Sequence, residues 1–180
     1  MGVRRFDSAR LDVAGLAAEG ATLSGHCASD ELPRWQAMQS PPAGAMSELV
    51  LWSVRGEQRR AAGQAPQLWL HLKVSATAWP NCQRCLQPFS QPLVVERALR
   101  FVDTEAQAEA LDADSEDDVL ALTPAPDLRT LIEDELLLAW PIVPRHAQCV
   151  APPHRAGDAA AAAANPFRVL SSLKPPTPGR

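Results

Sequence analysis

Between Gln67 and Trp79, Leu68, Leu70, Leu72 and Val74 alternate with Trp69, His71, Lys73 and Ser75. A period of two sends alternate side chains to opposite faces, so this segment is predicted to be a β-strand with one apolar face. Glu48 to Glu57 predicts a strand before it. Pro92 to Val102 predicts one after it, with Leu93, Val95, Leu99 and Phe101 sharing a side on which Arg97 is the odd member. Consecutive strands with compact connections predict an antiparallel meander.

Beyond the strands the period changes. Leu128, Leu131, Ile132 and Glu135 fall at helical spacing, and Leu136 to Trp140 is apolar nearly all round. The pattern predicts a helix from Leu128 that is buried over its second half, with Asp127 as an N-cap accepting from orphan amides and Pro141 as its stop. Glu105 to Asp118 is too acidic for a core and is expected to be a solvated loop with room for one helical turn. The amino-terminal part is patterned more weakly, with a short helix expected within Ala9–Glu19 and a short strand within Ala21–Gly25. Gln39-Ser40-Pro41-Pro42-Ala43-Gly44 then breaks the chain into a new unit.

The expected fold class is α+β: an antiparallel β-meander with a Cys-x2-Cys hairpin tip, packed against a helix buried in its second half. One domain is expected over residues 1–150, with the core in 47–150 and a less regular part in 1–46. Residues 151–180 are expected to be an extended or disordered tail with a short helix near 166–173, capped by Asn165 and begun by Pro166.

A hydrophobic content of 46% over 180 residues is enough for one such core. Nowhere are there 18 consecutive apolar residues, and the first residues lack an apolar run of signal-peptide length. A cytoplasmic chain with no membrane partner is therefore expected. In that reducing compartment the four cysteines are expected to be free thiols or metal ligands rather than disulfides. A net charge of -4 carries no global sign of nucleic-acid binding, but the charge is unevenly spread. Leu49 to Val102 holds Arg55, Arg59, Arg60, Lys73, Arg84, Arg97 and Arg100 against Glu57 and Glu96, whereas Asp103 to Asp118 holds eight acids and no base.

Cys82-Gln83-Arg84-Cys85 places two thiols one turn apart at the predicted hairpin tip, where backbone N–H groups can support thiolates. His146-Ala147-Gln148-Cys149 supplies an imidazole and a third thiol. Cys82, Cys85, His146 and Cys149 are thus a candidate tetrahedral set for one structural zinc, on the condition that the fold brings the end of the helix beside the hairpin. The other reading is that Cys82 and Cys85 are ordinary reduced thiols, Cys85 half buried, and that His146 is a surface residue. A thioredoxin-like redox pair fits less well, because the motif does not open a helix that would depress a thiol pKa. Glu133-Asp134-Glu135 offers clustered carboxylates, but three successive helical positions fan around the axis, so pairing with arginines of the sheet is the expected role.

Arg55, Lys73, Arg84, Arg97 and Arg100 are candidate RNA contacts, and Trp69 and Trp79 fall on the Lys73 side of the alternation. Cations with aromatics suit RNA, where stacking supplements phosphate contacts. A solvated sheet face covered by the acidic segment of the same molecule is the alternative. No nucleophile, base and orienter assemble, so neither an enzyme nor a small-molecule substrate is expected.

Cys82-Gln83-Arg84-Cys85-Leu86-Gln87-Pro88-Phe89, the acidic stretch, the run from Asp127-Leu128 through Ile132-Glu133-Asp134-Glu135 to Pro141-Ile142-Val143-Pro144, and His146 with Cys149 together resemble the bacterial YceD family, the large ribosomal RNA subunit accumulation proteins. Asn165-Pro166-Phe167 with Val169-Leu170 and Ser172-Leu173-Lys174 resembles the tail of its proteobacterial members. The resemblance covers about Leu68 to Lys174, with Trp140 standing where the family usually shows leucine and the alanines at 159–164 resembling an inserted spacer. It implies a cytoplasmic role in synthesis, processing or stability of 23S rRNA and carries over no catalytic residues. The expected function is a non-enzymatic factor that binds a large-subunit rRNA precursor or a protein bound to it; the alternative is an adapter whose acidic stretch and Cys hairpin bind a basic ribosomal or processing protein.

Overall fold

The computed structural model describes residues 6–149, apart from 46, 61, 62, 64, 114, 116, 123 and 124. The expected tail and its helix near 166–173 lie outside the described residues. In chain order the elements are α1 (Val13–Glu19), β1 (Thr22–Ala28), a 3-10 turn (Ser29–Glu31), α2 (Pro33–Met38), β2 (Leu49–Arg59), β3 (Gln67–Ala78), β4 (Gln91–Val102), α3 (Glu105–Asp112), β5 (Asp118–Ala121) and α4 (Leu128–Leu138).

The strands form one sheet in the order β1-β2-β3-β4-β5. The expected meander is its centre, β2 to β4, and β1 extends it antiparallel at one edge. At the other edge β5 runs parallel to β4, with Leu99 opposite Asp118 and Phe101 opposite Leu120. A parallel neighbour needs a crossover connection, and α3 supplies it. The acidic segment is therefore a two-turn helix followed by a strand, not the loop expected. Thr104 caps α3 by accepting from the Gln107 N–H at 3.3 Å, and alanines with good helix propensity carry it. Its acids stay exposed while Ala108 is buried.

Register assigns every strand residue to a face. Val50 opposes Cys27, Val54 opposes Leu72 and Leu23, Leu70 opposes Leu99, and Val74 opposes Val95. These residues form the inner face, on which α4 lays Leu128, Ile132 and Leu136. The buried side of α4 is thus a stripe along its whole length. Its second half is not buried all round, because Leu138 is 72% exposed.

A second helix, α1, sits so close to β2 that a Cβ on Gly56 would come within 2.3–2.5 Å of the Leu16 and Ala17 backbone. Only glycine fits there. Asp12 caps α1 by accepting from the Gly15 N–H, and Gly20 ends it in the left-handed region. The segment before α1 is tied to the start of α4, with the Leu11 N–H donating to the Pro126 carbonyl and the Leu128 N–H to that of Ser8, both at 2.9 Å. As expected, Asp127 caps α4, accepting from the Arg129 N–H at 3.0 Å and the Thr130 hydroxyl at 3.2 Å.

The sequence pattern did not predict α2, and the cap of α2 is not local. Leu32 offers no capping side chain, and Pro33 at the helix start has no N–H. The two helix-end donors left, Arg34 N–H and Trp35 N–H, both go to Glu133 Oε1 of α4 at 2.6 and 3.0 Å. The Arg34 guanidinium adds bonds to Glu133 at 2.8 Å and Asp134 at 2.6 Å. Trp35 is fully buried and meets Trp140 edge to face, with ring centroids 5.4 Å apart. Glu135 meets Arg97 at 3.2 Å. The three carboxylates therefore serve packing, and the pairing with a sheet arginine applies to Glu135 alone.

Candidate metal centre

The connection from β3 to β4 places Cys82 and Cys85 at the tip of a hairpin, as the strand pattern predicts. Asn81 bridges Pro88, and the Cys82 N–H donates to the Gln87 carbonyl at 2.9 Å. The turn closes with the Leu86 N–H on the Cys82 carbonyl at 2.8 Å. Leu86 takes φ 62, a left-handed conformation that glycine adopts more readily. That turn brings both sulfurs round to one side.

The segment after α4 runs past this tip and is tied to it. The Gln83 N–H donates to the Pro144 carbonyl at 2.9 Å, and the Gln83 side-chain amide reaches the Ile142 carbonyl at 3.3 Å. Pro141 ends the helix close to its C-cap at Ala139, so the chain leaves in the extended form these bonds need. Phe89 flanks the His146 ring at a centroid distance of 4.6 Å. Phe89 was visible in the motif, but nothing local in the sequence marked Gln83 or Pro144 as the joint.

These contacts bring Cys82, Cys85, His146 and Cys149 together, with one candidate ligand atom from each all within 4.8 Å of one another. Cys82 Sγ lies 3.7 Å from Cys149 Sγ, and Cys85 Sγ lies 3.3 Å from His146 Nδ1. In a tetrahedral zinc site with usual bond lengths, sulfurs sit about 3.8 Å apart and sulfur and nitrogen about 3.5 Å apart. The donor set and its spacing therefore fit a metal ion. Cys82 is completely buried, whereas the other three are partly exposed.

Burial opposes ionisation of Cys82, yet the backbone N–H groups of His146, Cys85 and Arg84 outweigh it and hold the thiol down to about 6. Burial and the neighbouring sulfurs of Cys82 and Cys85 push the Cys149 thiol up. One thiolate is favoured and a second is resisted. A cation among the sulfurs removes that conflict.

The five candidate RNA contacts do not share one surface. Arg55, Lys73 and Arg100 belong to the outer face of the sheet, since Arg55 opposes His71, Lys73 opposes Glu96, and Trp69 opposes Arg100. Arg84 is exposed at the hairpin tip, beside the ligand segment that carries exposed Arg145. Arg97 lies on the inner register at the rim of α4, where it pairs with Glu135. Among the described residues no helix covers the outer face over Ser24, Leu51, Lys73, Ser75 and Val94, which are solvent-facing on adjacent strands.

Charge on this face is partly neutralised: Lys73 pairs with Glu96, while Glu57 gathers Arg55, Arg59 and His71. Trp69 shares the Lys73 side but is 3% exposed, with the Arg59 guanidinium 3.9 Å above its ring. Trp79 is half-buried and donates its indole N–H to Glu48. Neither indole is a free stacking platform. Among the described residues no helix is long and apolar enough to cross a membrane.

No solved structure matches this chain. A family model does match, over residues 70–174, a span that begins in β3 and takes in the hairpin, α3, α4 and all four candidate ligands. That span is more than half of the 180 residues, and the chain belongs to the family described as Large ribosomal RNA subunit accumulation protein YceD.

Proposed function

We propose that the protein is a non-enzymatic ribosome-biogenesis factor that binds large-subunit precursor rRNA in the cytoplasm, with a structural zinc holding its hairpin in place. The family description ties the chain to large-subunit rRNA accumulation. The observation that carries the RNA reading is the outer face of the sheet, where Arg55 and Lys73 lie on adjacent strands and Arg100 lies at its α3 edge, beside Gln107 and Leu111. An uncovered sheet is a surface on which single-stranded RNA can lie, and its cations supply the phosphate contacts. Since the two indoles are engaged, phosphate attraction rather than base stacking dominates this binding.

The measurement is affinity for precursor rRNA fragments as a function of salt, with full-length protein. Arg55→Glu combined with Arg100→Glu is expected to weaken binding at least about tenfold and to flatten the salt dependence. Unchanged affinity and slope would sink the outer-face reading.

Zinc in this site is structural. It crosslinks the β3–β4 hairpin to the segment after α4, and comparable sites in small peptides contribute about 10–16 kcal/mol of apparent binding energy. Elemental analysis of protein purified without a metal-binding tag is expected to give one zinc per chain, lost in Cys85→Ser. A metal-free parent would retire the assignment.

One observation favours a second partner class. Glu105, Glu109 and Asp112 line one side of α3 at i, i+4 and i+7, all exposed, which suits a basic ribosomal or processing protein. Association through that helix survives nuclease treatment. Association through RNA does not.

A further inference from the structure

The described chain stops at Cys149, at the hairpin, and an open groove of 540 Å³ lies nearby at the end of α4. Met38, Leu138, Trp140 and Ile142 form its apolar side, and Ser40, Asn81 and Gln83 its polar rim. Leu138 and Ile142 are 72% and 92% exposed. Single exposed apolar residues are ordinary, but several lining one groove mark a contact surface. The last turn of α4 also carries no basic residue, so its electronegative end meets the groove without a complementary charge.

We propose that the occupant is the chain's own segment Phe167–Leu173. Phe167, Leu170 and Leu173 recur every third residue, with Val169 beside them, and Arg168 and Lys174 bring the positive charge that the end of α4 lacks. Seventeen residues, 150–166, separate this segment from Cys149. Seventeen residues reach at most about 56–61 Å when extended, which allows return to a groove whose own residues include Ile142 and Pro144. Tethering of this kind gives an effective concentration on the order of millimolar, so a weak apolar contact is enough to fill the groove. The family match independently marks the segment: it runs through to residue 174 and leaves out Pro175–Arg180. The segment thus belongs to the same recognisable unit as the hairpin and α4. This inference requires neither RNA binding nor zinc.

The test is hydrogen exchange on the full-length protein at several concentrations, comparing the parent with Leu138→Glu and with Phe167→Glu. Leu138 is exposed, so its substitution leaves the fold intact, which unchanged protection of β3 amides verifies. In the parent, amides of residues 168–173 are expected to exchange at least about tenfold slower than unstructured chain, independently of concentration, and each variant is expected to abolish that protection. Three results overturn the proposal: unprotected amides in the parent, as when the groove awaits another protein; protection that survives Leu138→Glu; or protection that grows with concentration, the mark of a second copy.

Discussion

Replacing Glu133 tests whether α2 is capped from a helix about a hundred residues away. Glu133 is 5% exposed, and its Oε1 accepts from the N–H groups of both Arg34 and Trp35. Charge-assisted bonds of this kind are worth about 1.5 kcal/mol or more each, and leaving their donors unpaired in a buried site costs a similar amount. The Arg34 side chain is half exposed, so solvent screening leaves its ion pair a minor contribution. Glu133→Ala is therefore expected to destabilise the protein by about 3–4 kcal/mol, and Glu133→Gln, which keeps an acceptor, by about 1–2 kcal/mol. Asp134→Ala, which removes only a contact to exposed Arg34, should cost less than about 1 kcal/mol. Urea unfolding at pH 7 measures all three.

The same residue predicts an acid dependence. Burial would raise the Glu133 carboxyl, but the Trp35 N–H and the Arg34 side chain and N–H overcome it and hold the group below its ordinary value of 4.5. A carboxyl depressed in the folded state contributes stability that is complete above the unfolded value and is lost as pH falls through the folded one. The gap between parent and Glu133→Gln should therefore narrow as pH drops below 4.5. Equal losses in Glu133→Ala and Asp134→Ala, or a gap indifferent to acid, would refute the capping argument.

Gly56→Ala should cost about 3 kcal/mol in urea unfolding, because its Cβ meets the α1 backbone rather than a side chain that can turn away. A neutral result would mean that α1 does not sit against β2. Leu86→Gly should leave stability unchanged or raise it by up to about 1 kcal/mol, since glycine relieves the left-handed strain while adding freedom to the unfolded chain. A loss in the thermal midpoint would show that the Leu86 side chain has a packing role. Bonds from Arg59 and His71 hold the Glu57 carboxyl down to about 2. Its contribution is thus present above 4.5 and fades as pH falls towards 2, so Glu57→Gln should flatten part of the acid dependence of the urea midpoint.

Local periodicity carried a great deal of information here. The β2–β4 meander, the hairpin position of Cys82 and Cys85, and the Asp127 cap of α4 all follow from spacings within a dozen residues, where backbone geometry dictates which side chains share a face. Charge density by itself is a poor sign of a loop. The eight acids after Val102 concealed α3, because helix propensity and the Thr104 cap need only a small buried side, and Ala108 provides it. In the same way the apolar run around Leu138 predicts burial, although one side of it has no partner among the described residues.

The sequence by itself determined the family, the alternation of the central strands and the four residues able to ligate a metal. Only the tertiary structure decided that those four converge, through the bond from Gln83 N–H to the Pro144 carbonyl. It also decided that α2 borrows its cap from Glu133, that Arg97 meets Glu135 of α4, and that Trp69 is covered. The division has a physical reason. Secondary structure and face assignment depend on neighbours a few positions away, whereas a ligand cluster, a remote cap or a covered indole depends on which surfaces meet after the chain has closed long loops, and no local pattern encodes that meeting.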